Sequence, residues 1–223
     1  FVDCTSSKDV ITHYEDILSS SISIVTPNKL ANSGKFADYV KLQQTAFRHG
    51  VKFLYVTNVG AGLPVINTLQ DLKYSGDIIL KIEGILSGTL SYIFNNFKGD
   101  KKFSEVVKEA KEKGYTEPDP RDDLGGIDVA RKALILTRYA LGMPSVTLDD
   151  IRVEPLFPTE FASLSIADFR RRLPELDKSW KDRVASAKSR GCVVRYAATC
   201  NKDGASVGLV EAQLGTPLAG LQG

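Results

Sequence analysis

The segment SISIVTPNKLANSGKFADYVKLQQTAFRHGVKFLYVTNV, residues 21–59, holds the alternation that decides the fold. Its two ends, SISIVTP and KFLYVTNV, are apolar and rich in β-branched side chains, which is typical of strands. Between them, apolar residues recur at helical spacing from Phe36 to His49, and Gly50 stands where that helix would end. A strand, a helix and a second strand in immediate succession predict a parallel sheet with a crossover helix.

The upstream residues extend the same alternation. Residues 1–4 have the composition of a strand end, and residues 9–20 follow with the pattern of a helix. We therefore expect residues 1–57 to be the C-terminal part of a Rossmann-type nucleotide-binding domain. The G-x-G-x-x-G turn that opens such a domain is missing, because the match at residues 60–62 is followed by Leu-Pro and lacks a third glycine. We expect the chain to be a fragment.

Residues 58–223 predict an α+β substrate-binding and catalytic domain. Helical spacing and glycine stops predict helices over residues 65–76, 87–97, 102–114 and 126–142. Residues 166–191 predict a basic helix that is broken at Pro174. Alternating and β-branched runs predict strands over residues 77–86 and 147–156 and a hairpin over residues 192–212. Because the chain stops on a glycine-rich turn, we expect this domain to be truncated at its C-terminus.

Composition narrows the classes of function. Hydrophobic residues make up 43% and charged residues 25% of the 223 residues, as in ordinary folded proteins. A net charge of +2 gives no sign of a nucleic-acid partner, and no apolar run is long enough to span a membrane. The three cysteines lack metal-ligand spacing, and the two histidines stand apart. We therefore expect free thiols and a cytoplasmic protein, without a histidine-based metal site or a Ser-His-Asp triad.

The segment GYTEPDPRDDLGGIDVARK, residues 114–132, is strongly acidic. It places five carboxylates close together: Glu117, Asp119, Asp122, Asp123 and Asp128. Its two prolines restrict the backbone, and its paired glycines allow a tight turn before the next helix. A stiff turn that presents carboxylates suits a ligand ammonium group, but a solvated acidic turn accounts for the spacing equally well.

Asp128 and Lys132 are four residues apart in the helix predicted over residues 126–142, so they share one face. As an exposed ion pair they would contribute only about 0.3–0.5 kcal/mol. The neighbouring residues are apolar nearly all round, which predicts a buried helix instead. A partly desolvated lysine beside a carboxylate can also shuttle protons, with a rate gain of about 10²–10⁴-fold. The sequence alone leaves both interpretations open.

Three further polar positions follow predicted strands or begin helices. Lys29 begins a loop predicted over residues 29–34 at the carboxyl end of a strand, where α/β sheets bind ligands. It fits a cofactor phosphate or a substrate, or it is an ordinary loop lysine. Thr5 occupies the same place after the preceding strand and fits either a cofactor contact or a helix cap. Ser87-Gly88-Thr89 opens a helix and fits either an anion site or a cap.

Four runs of sequence together resemble homoserine dehydrogenase. They are TPNKLANSG at residues 26–34, FLYVTNVGAGLPVI at 53–66, GILSGTLSYIF at 84–94 and the acidic segment at 114–132. The resemblance covers nearly the whole chain. The second run and RVEPLFPTEF, residues 152–161, are most similar to the dehydrogenase part of bifunctional aspartokinase/homoserine dehydrogenases. An unrelated amino-acid dehydrogenase would require the acidic segment to be a coincidence.

The resemblance implies an enzyme that reversibly reduces L-aspartate 4-semialdehyde to L-homoserine with NADP or NAD, on the route to threonine, methionine and isoleucine. By motif position, Lys132 would be the proton donor, and Asp128 would orient it and contact the substrate. Lys29 would lie between cofactor and substrate, while Thr5 and Gly114 would contact the nicotinamide cofactor. The choice between NAD and NADP stays open.

The resemblance also implies a pocket for a small amino-acid substrate. Glu117 would bind the substrate ammonium group, Asp123 would be a neighbouring polar contact, and Thr89 and Tyr115 would line the pocket. Hydride that arrives at an aldehyde carbon leaves negative charge on its oxygen, which the ammonium group of a nearby lysine stabilises. Homoserine itself carries an ammonium group and a carboxylate. A site with both carboxylates and lysines fits such a substrate, which offers a reason for the acidic segment.

One departure from the family concerns a monovalent cation such as sodium. The family binds it at the turn after FLY, through carbonyls that correspond to Val59, Ala61 and Leu63. Where the family usually has an acidic residue, this chain has Val56, so we expect weaker binding of the cation. Together with the missing nucleotide segment, this departure leaves an alternative open: a non-catalytic or regulatory homologue that binds an amino acid.

The resemblance extends to partners and location. It implies a homo-oligomer, a dimer or larger, and a possible aspartokinase domain fused in the parent chain. It implies a cytoplasmic protein, or a plastid protein if the parent comes from a plant. No nucleic-acid or membrane partner is expected.

Overall fold

The computed structural model describes residues 1–221. The chain forms two compact units, and each is built from separate stretches of sequence. The first unit contains residues 1–82, 130–152 and 199–206, and the second contains residues 83–129, 153–198 and those from 207 onwards. No helix within residues 1–221 is both long and apolar enough to cross a membrane.

Helices make up most of the regular structure. In chain order they are α1 (Lys8–Thr12), α2 (Tyr14–Ser19), α3 (Leu30–Ser33), α4 (Phe36–Arg48), α5 (Val65–Tyr74), α6 (Gly88–Asn96), α7 (Phe103–Glu112), α8 (Pro120–Leu124), α9 (Ile127–Ala140), α10 (Ile166–Arg172), α11 (Asp177–Ser189) and α12 (Pro217–Gly220). The helices predicted from spacing and glycine stops, α4 to α7 and α9, are confirmed to within two residues at each end. The predicted break at Pro174 is confirmed by a 3-10 turn at Leu173–Leu176 between α10 and α11.

The strands form two sheets. They are β1 (Ile24–Val25), β2 (Phe53–Leu54), β3 (Lys81–Gly84), β4 (Arg152–Val153), β5 (Cys192–Asn201) and β6 (Gly204–Gln213). β1 and β2 pair in parallel on either side of α4 in the sequence, and Val2 forms a parallel bridge to Val25. The predicted crossover arrangement is therefore confirmed. The other four strands follow the order β3-β5-β6-β4, in which β5 and β6 form the predicted hairpin.

Several strands are shorter than the sequence predicts. The strand expected at residues 21–27 reduces to β1, because Ser21 has a positive φ of 60° and is not extended, and because Pro27 has no N–H for a ladder hydrogen bond. The strand expected at residues 52–59 reduces to β2, because a 3-10 turn at Val56–Asn58 follows it. The strands expected at residues 77–86 and 147–156 keep only the residues of β3 and β4. Apolar, β-branched composition therefore overestimates the length of these strands.

The loop predicted over residues 29–34 is wrong, because its centre is the helical turn α3. The Asn28 side chain accepts the N–H of Leu30 at 3.1 Å, and the N–H of Ser33 donates to the Lys29 carbonyl at 2.9 Å. An asparagine that accepts from the residue two positions later is a common way to begin a turn. Lys29 is the first, capping residue of this turn.

Each unit has its own core. In the first unit, Tyr14 and Leu18 of α2 are fully buried together with Ile24 of β1, and the Tyr14 ring meets Phe53 of β2 edge-on at 5.7 Å. In the second unit, Phe103 of α7 stacks on Trp180 of α11 at 4.7 Å between ring centres. Burying aromatic side chains of this size contributes about 1.5–3 kcal/mol each.

The three cysteines are free thiols, as the sequence predicts, and they differ in exposure. Cys4 is exposed, Cys192 is partly exposed and Cys200 is fully buried. Burial raises the pKa of the Cys200 thiol above its ordinary value.

Candidate active site

A buried polar network lies at the carboxyl end of the parallel strands in the first unit. The Asp3 carboxylate accepts hydrogen bonds from the Tyr14 hydroxyl at 2.5 Å, from the N–H of Thr5 at 2.7 Å and from the Asn28 side chain at 3.2 Å. The Tyr14 hydroxyl also lies 3.0 Å from the Thr26 hydroxyl. Burial alone would raise the pKa of Asp3, but these hydrogen bonds outweigh burial and hold that pKa below its ordinary value.

The same network continues along the chain through amide side chains. Asn58 donates to the Thr26 carbonyl at 3.1 Å, and Asn32 donates to the Asn58 side-chain oxygen at 2.8 Å. Asn28 also donates to the Ser7 carbonyl at 3.1 Å. The loop after the first strand and the loop after β1 are therefore held together by side chains from both.

This network places two of the predicted cofactor contacts. Lys29 is half-buried and follows Asn28 directly, while Thr5 is exposed and its N–H is held by Asp3. The Thr5 hydroxyl accepts the N–H of Ser7 at 3.1 Å, and it is the Ser7 side chain that caps α1. The alternative in which Thr5 itself caps the helix is therefore wrong, and its side chain lies on the surface of the loop.

Asp128 and Lys132 lie one turn apart on α9, and both side chains are partly buried. Most of the surrounding helix is buried, including Val129, Ala130 and Ala133. Ile127 departs from the expected pattern, because 46% of its surface is exposed at the start of the helix. The interpretation of this helix as a largely buried element that carries a lysine and a carboxylate is thus confirmed.

Residues 114–126 of the acidic segment lie in the second unit, and they are not a loop throughout, because Pro120–Leu124 form α8. Asp119 caps α8 by accepting the N–H of Arg121 at 3.0 Å, and its carboxylate pairs with the Arg121 guanidinium at 2.5 Å. Arg121 in turn donates to the carbonyls of Ala162 and Leu164 at 2.9 and 2.6 Å. Arg170 donates to the Pro118 carbonyl at 2.6 Å. One of the five carboxylates therefore has a structural role.

Three predicted substrate contacts meet around a fourth, Asp123. Its carboxylate accepts the N–H of Glu117 at 2.8 Å. The Thr89 hydroxyl donates to the Tyr115 carbonyl at 2.6 Å and lies within reach of Asp123. Burial raises the pKa of Asp123, and the hydrogen bonds from Glu117 and Thr89 offset part of that rise. The structure thus brings Thr89, Tyr115, Glu117 and Asp123 together, and the Glu117 side chain is exposed.

Aromatic and cationic groups support the start of the acidic segment. Gly114 adopts a positive φ of 73° after α7, as expected for a glycine that ends a helix. The ring of Tyr115 lies 5.0 Å from that of Tyr92, and the Lys113 ammonium group lies 5.0 Å from the Tyr92 ring centre.

Ser87 caps α6 by accepting the N–H of Leu90 at 3.2 Å, which confirms the cap predicted at the Ser-Gly-Thr turn.

Gly126, which precedes α9, is required by packing as well as by backbone conformation. Its φ is +74°, and a Cβ at this position would lie 2.0 Å from the hydroxyl oxygen of Tyr196. That hydroxyl donates to the Glu154 carbonyl at 2.9 Å, so it is held in place. The start of the helix that carries Asp128 and Lys132 is therefore fixed by contact with β5.

The turn after β2 contains the carbonyls predicted to bind a cation. Val59 is fully buried, whereas Leu63 is exposed and its carbonyl accepts the N–H of Val65 at 2.8 Å. Ala61 has a positive φ of 49°, which is uncommon for a residue with a Cβ. Val56 opens the 3-10 turn and brings no side-chain oxygen. The donor atoms available here are backbone carbonyls, which suit a weakly bound hard cation.

Sequence reasoning missed the residues that hold the first-unit loops in place. Asp3, Tyr14, Asn28 and Asn58 were not singled out, although each is buried and hydrogen-bonded. The available signal was polar residues inside apolar runs, since such groups must find partners when they are buried. Their partners are up to 32 positions away in the sequence, so the pairing itself was not visible.

Comparison with known proteins agrees with this arrangement. A family model described as homoserine dehydrogenase matches residues 64–223, and one described as the NAD binding domain of homoserine dehydrogenase matches residues 1–56. The fold and the two matched models are those of an α/β protein in which an NAD-binding part precedes a catalytic part. The chain belongs to the homoserine dehydrogenase family.

Individual relatives show how much of a longer protein the chain represents. It is 51% identical over 199 residues to bifunctional aspartokinase/homoserine dehydrogenase 2, chloroplastic, of Zea mays, covering 87% of this chain and 21% of the relative. It is 42% identical over 233 residues to the homoserine dehydrogenase of Paracoccidioides brasiliensis, covering 100% of this chain and 62% of the relative. A crystal structure of a Candida auris protein of unknown function has a TM-score of 0.93 and 40% identity, covering 100% of this chain and 64% of that one. The chain thus spans less than two thirds of the length of each.

Proposed function

We propose that this chain is part of an NAD(P)-dependent homoserine dehydrogenase, which interconverts L-aspartate 4-semialdehyde and L-homoserine. One observation carries the proposal. The acidic turn around Asp123 is ordered by Thr89 and Glu117 and leads directly into α9, on which Asp128 and Lys132 are one turn apart. Carboxylates and a lysine in continuous, ordered structure suit a substrate that carries both an ammonium group and a reacting oxygen.

The first unit fits a nicotinamide cofactor. The family model for NAD binding covers residues 1–56, and Thr5 and Lys29 follow neighbouring parallel strands at the edge where such sheets bind ligands. We propose that residues 1–57 form the nucleotide-binding part, with Gly114 as a further cofactor contact. When bound, the nicotinamide supplies or accepts the hydride.

The catalytic roles follow from charge. We propose that Lys132 holds its ammonium group near the aldehyde oxygen and gives that oxygen a proton as negative charge develops on it. Asp128, one turn earlier on α9, orients the lysine side chain and contacts the substrate. Lys29 lies between cofactor and substrate and adds a second positive charge.

The substrate amino group is assigned to the acidic turn. We propose that the exposed Glu117 carboxylate binds the ammonium group, while Asp123 fixes the Glu117 backbone through the 2.8 Å hydrogen bond. Thr89 and Tyr115 line the same pocket. Glu117 is the better candidate for this contact, because its side chain is exposed whereas Asp123 is partly buried and accepts a backbone hydrogen bond.

The direct test is homoserine oxidation by the full-length protein and by its Lys132→Ala variant, followed by absorbance of the reduced cofactor. Loss of the proton donor should lower kcat by at least about 10²-fold. Lys108→Ala is the matched control, because Lys108 is a lysine on α7 with 77% of its side chain exposed. Turnover by Lys132→Ala within a few-fold of the wild-type rate would refute the assigned role.

A cation site is a second part of the proposal. We propose that a monovalent cation such as sodium binds weakly to the carbonyls of Val59, Ala61 and Leu63, with the carbonyl of Val56 beside them. Val56→Glu should increase the affinity for sodium by adding a carboxylate. Stability against urea measured as a function of sodium concentration would detect this, and equal sodium dependence in both proteins would contradict it.

Relatives such as the Zea mays protein are bifunctional by name, and we propose that an aspartokinase domain is fused in the parent chain. We also propose a homo-oligomer, a dimer or larger, in the cytoplasm, or in the plastid if the parent is a plant protein.

A further inference from the structure

A buried arginine in the first unit makes contacts that no catalytic role explains. Arg138 lies on α9, and only 6% of its surface is exposed. Its Nε donates to the Val146 carbonyl at 2.9 Å, and its Nη1 donates to the carbonyls of Gly34 and Asn32 at 2.9 and 3.1 Å. Its guanidinium lies 5.8 Å from the Phe36 ring centre. The planar fork of an arginine can bridge several carbonyls at once, which a lysine cannot.

These contacts attach the turn α3 to helix α9. Asn32 and Gly34 flank Ser33, and the Ser33 hydroxyl accepts a hydrogen bond from Nη1 of Arg131 at 3.2 Å. The far end of the turn is thus held by two arginines from one helix. Its near end is the capping residue Lys29, whose carbonyl accepts the N–H of Ser33 at 2.9 Å.

A contribution to stability does not by itself explain why an arginine is buried at position 138. The acceptors that Arg138 contacts are neutral backbone carbonyls, and its Nη2 is buried without a hydrogen-bonding partner among residues 1–221. The side-chain oxygen of Asn32 is likewise buried without a partner. Burying an unpaired cation is unfavourable, and an apolar side chain of similar size is often the more stable choice. The reason for an arginine at this position should therefore be sought in the backbone carbonyls that it holds.

Burial of an arginine does not by itself identify a role, because Arg195 in the second unit is buried to the same 6%. Arg195 also donates only to carbonyls, those of Phe94, Val194 and Ala219, and its Nε lacks a partner among the described residues. None of its acceptors belongs to a predicted site residue or to its turn. The two arginines are therefore matched in burial and bonding and differ in what they hold.

We propose that Arg138 is a positioning residue that anchors the α3 turn to α9 and so fixes the direction in which Lys29 presents its ammonium group. The proposal rests on the proposed function only for the role of Lys29. The anchoring itself concerns the three carbonyl acceptors and is independent of any reaction.

The anchoring is tested by amide hydrogen exchange on the full-length protein with Arg138→Lys and, as the matched control, Arg195→Lys. Both variants keep a buried positive charge and lose the planar fork. Exchange at residues 30–34 should become at least about ten-fold faster in Arg138→Lys only, because its turn loses an anchor. Equal exchange in the two variants over residues 30–34 would overturn the proposal.

The effect on Lys29 is tested by kinetics. Because the Lys29 ammonium group is then misplaced, Arg138→Lys should lower kcat/KM by about 10²-fold. Arg195→Lys should keep kcat/KM within about three-fold of the wild-type value. In a Lys29→Ala background, Arg138→Lys should add less than about three-fold, because its effect passes through the missing lysine. Full additivity of the two losses would overturn the proposal. If the wild-type protein shows no turnover, the proposed function fails, and hydrogen exchange still decides the anchoring.

Discussion

At the scale of single residues, two carboxylates in this chain have pKa values displaced in opposite directions by their surroundings. Asp3 is buried and Asp123 is partly buried, yet it is the pKa of Asp3 that is lowered, because its carboxylate accepts hydrogen bonds from three donors. Desolvation dominates at Asp123 and raises its pKa. Burial therefore does not determine the direction of the shift. The balance between desolvation and donated hydrogen bonds determines it.

Removing the Tyr14 hydroxyl should make the protein less stable at neutral pH. In Tyr14→Phe the ionised Asp3 loses a hydrogen bond, so the free energy of unfolding should fall by about 1.5–3 kcal/mol. A carboxylate with a lowered folded pKa stabilises the protein above its unfolded pKa of about 3.9, and that contribution is lost as pH falls through the folded pKa. The difference between variant and wild type should therefore narrow below about pH 4.

Urea titrations at a series of pH values would measure this. Tyr74→Phe is the control, because 81% of Tyr74 is exposed, and it should change stability by less than about 0.5 kcal/mol. If the loss in free energy of unfolding caused by Tyr14→Phe stays constant down to acid pH, Asp3 is not the group involved.

The hydroxyl of Thr89 should tune the titration of Asp123. Thr89→Val removes the hydroxyl dipole that lowers the pKa of Asp123, so this pKa should rise further. Since a raised folded pKa favours the protonated form, this group stabilises the fold fully below its unfolded pKa and loses that contribution as pH rises through the folded pKa. Carboxyl chemical shifts in NMR would give the midpoint. Thr116→Val, whose hydroxyl contacts the Glu117 carbonyl, should leave it unchanged, and a lower midpoint in Thr89→Val would contradict the assignment.

At the scale of elements, helix α9 has a glycine with positive φ just beyond each end. Gly126 precedes it with a φ of 74°, and Gly142 follows it with a φ of 65°. A Cβ at Gly142 would meet no atom within 4 Å, whereas one at Gly126 would collide with Tyr196. The two glycines therefore share a backbone conformation and differ in the room available for a side chain.

This pair separates backbone strain from packing. Gly142→Ala should cost about 1–2 kcal/mol, because alanine is strained at positive φ. Gly126→Ala should cost about 1–3 kcal/mol more, because it also forces Tyr196 to move. Chemical denaturation would give both values. Equal losses would mean that the contact with Tyr196 is unimportant, and Tyr196→Phe should recover part of the extra loss in Gly126→Ala.

The elements also show what local sequence can predict. Helices α4 to α7 and α9 follow from apolar spacing and a glycine stop, because those signals lie inside the element. The turn α3 was predicted as a loop, because its contacts to Asn28 and Arg138 come from outside it. Tyr196 was not connected to Gly126 for the same reason, since 70 positions separate them. Local signals predict helices well, and contacts between distant residues decide turns and strand ends.

At the scale of the whole molecule, the family was predicted from long runs of sequence, whereas the contacts that support the proposed site were not. Glu117, Asp123 and Thr89 were singled out by motif position, and the structure brings them together. The structural use of Asp119 by Arg121 was not foreseen, because the acidic segment gave no sign of which carboxylate would be paired. A motif names the members of a site more readily than it assigns their contacts.

The proposed assembly predicts an effect at the edge of the four-stranded sheet. Strand β3 is at that edge, and Ile78 and Leu80, which precede it, are each 77% exposed. Exposed apolar residues beside an open edge favour association with another chain. Leu80→Lys in the full-length protein should shift it towards smaller species in sedimentation experiments. Lys181→Glu, an exposed change on α11, is the control, and an unchanged distribution in Leu80→Lys would exclude this edge from the interface.

The graded exposure of the three thiols has a practical consequence for spectroscopy. Cys4 is exposed immediately before Thr5, while Cys200 is fully buried with a raised thiol pKa, so a mild alkylating dye should leave Cys200 unlabelled. Replacing the partly exposed Cys192 by serine would leave one addressable sulfur. The protein then carries a native attachment point for a fluorophore next to its proposed cofactor loop, and nucleotide titrations can be followed by emission.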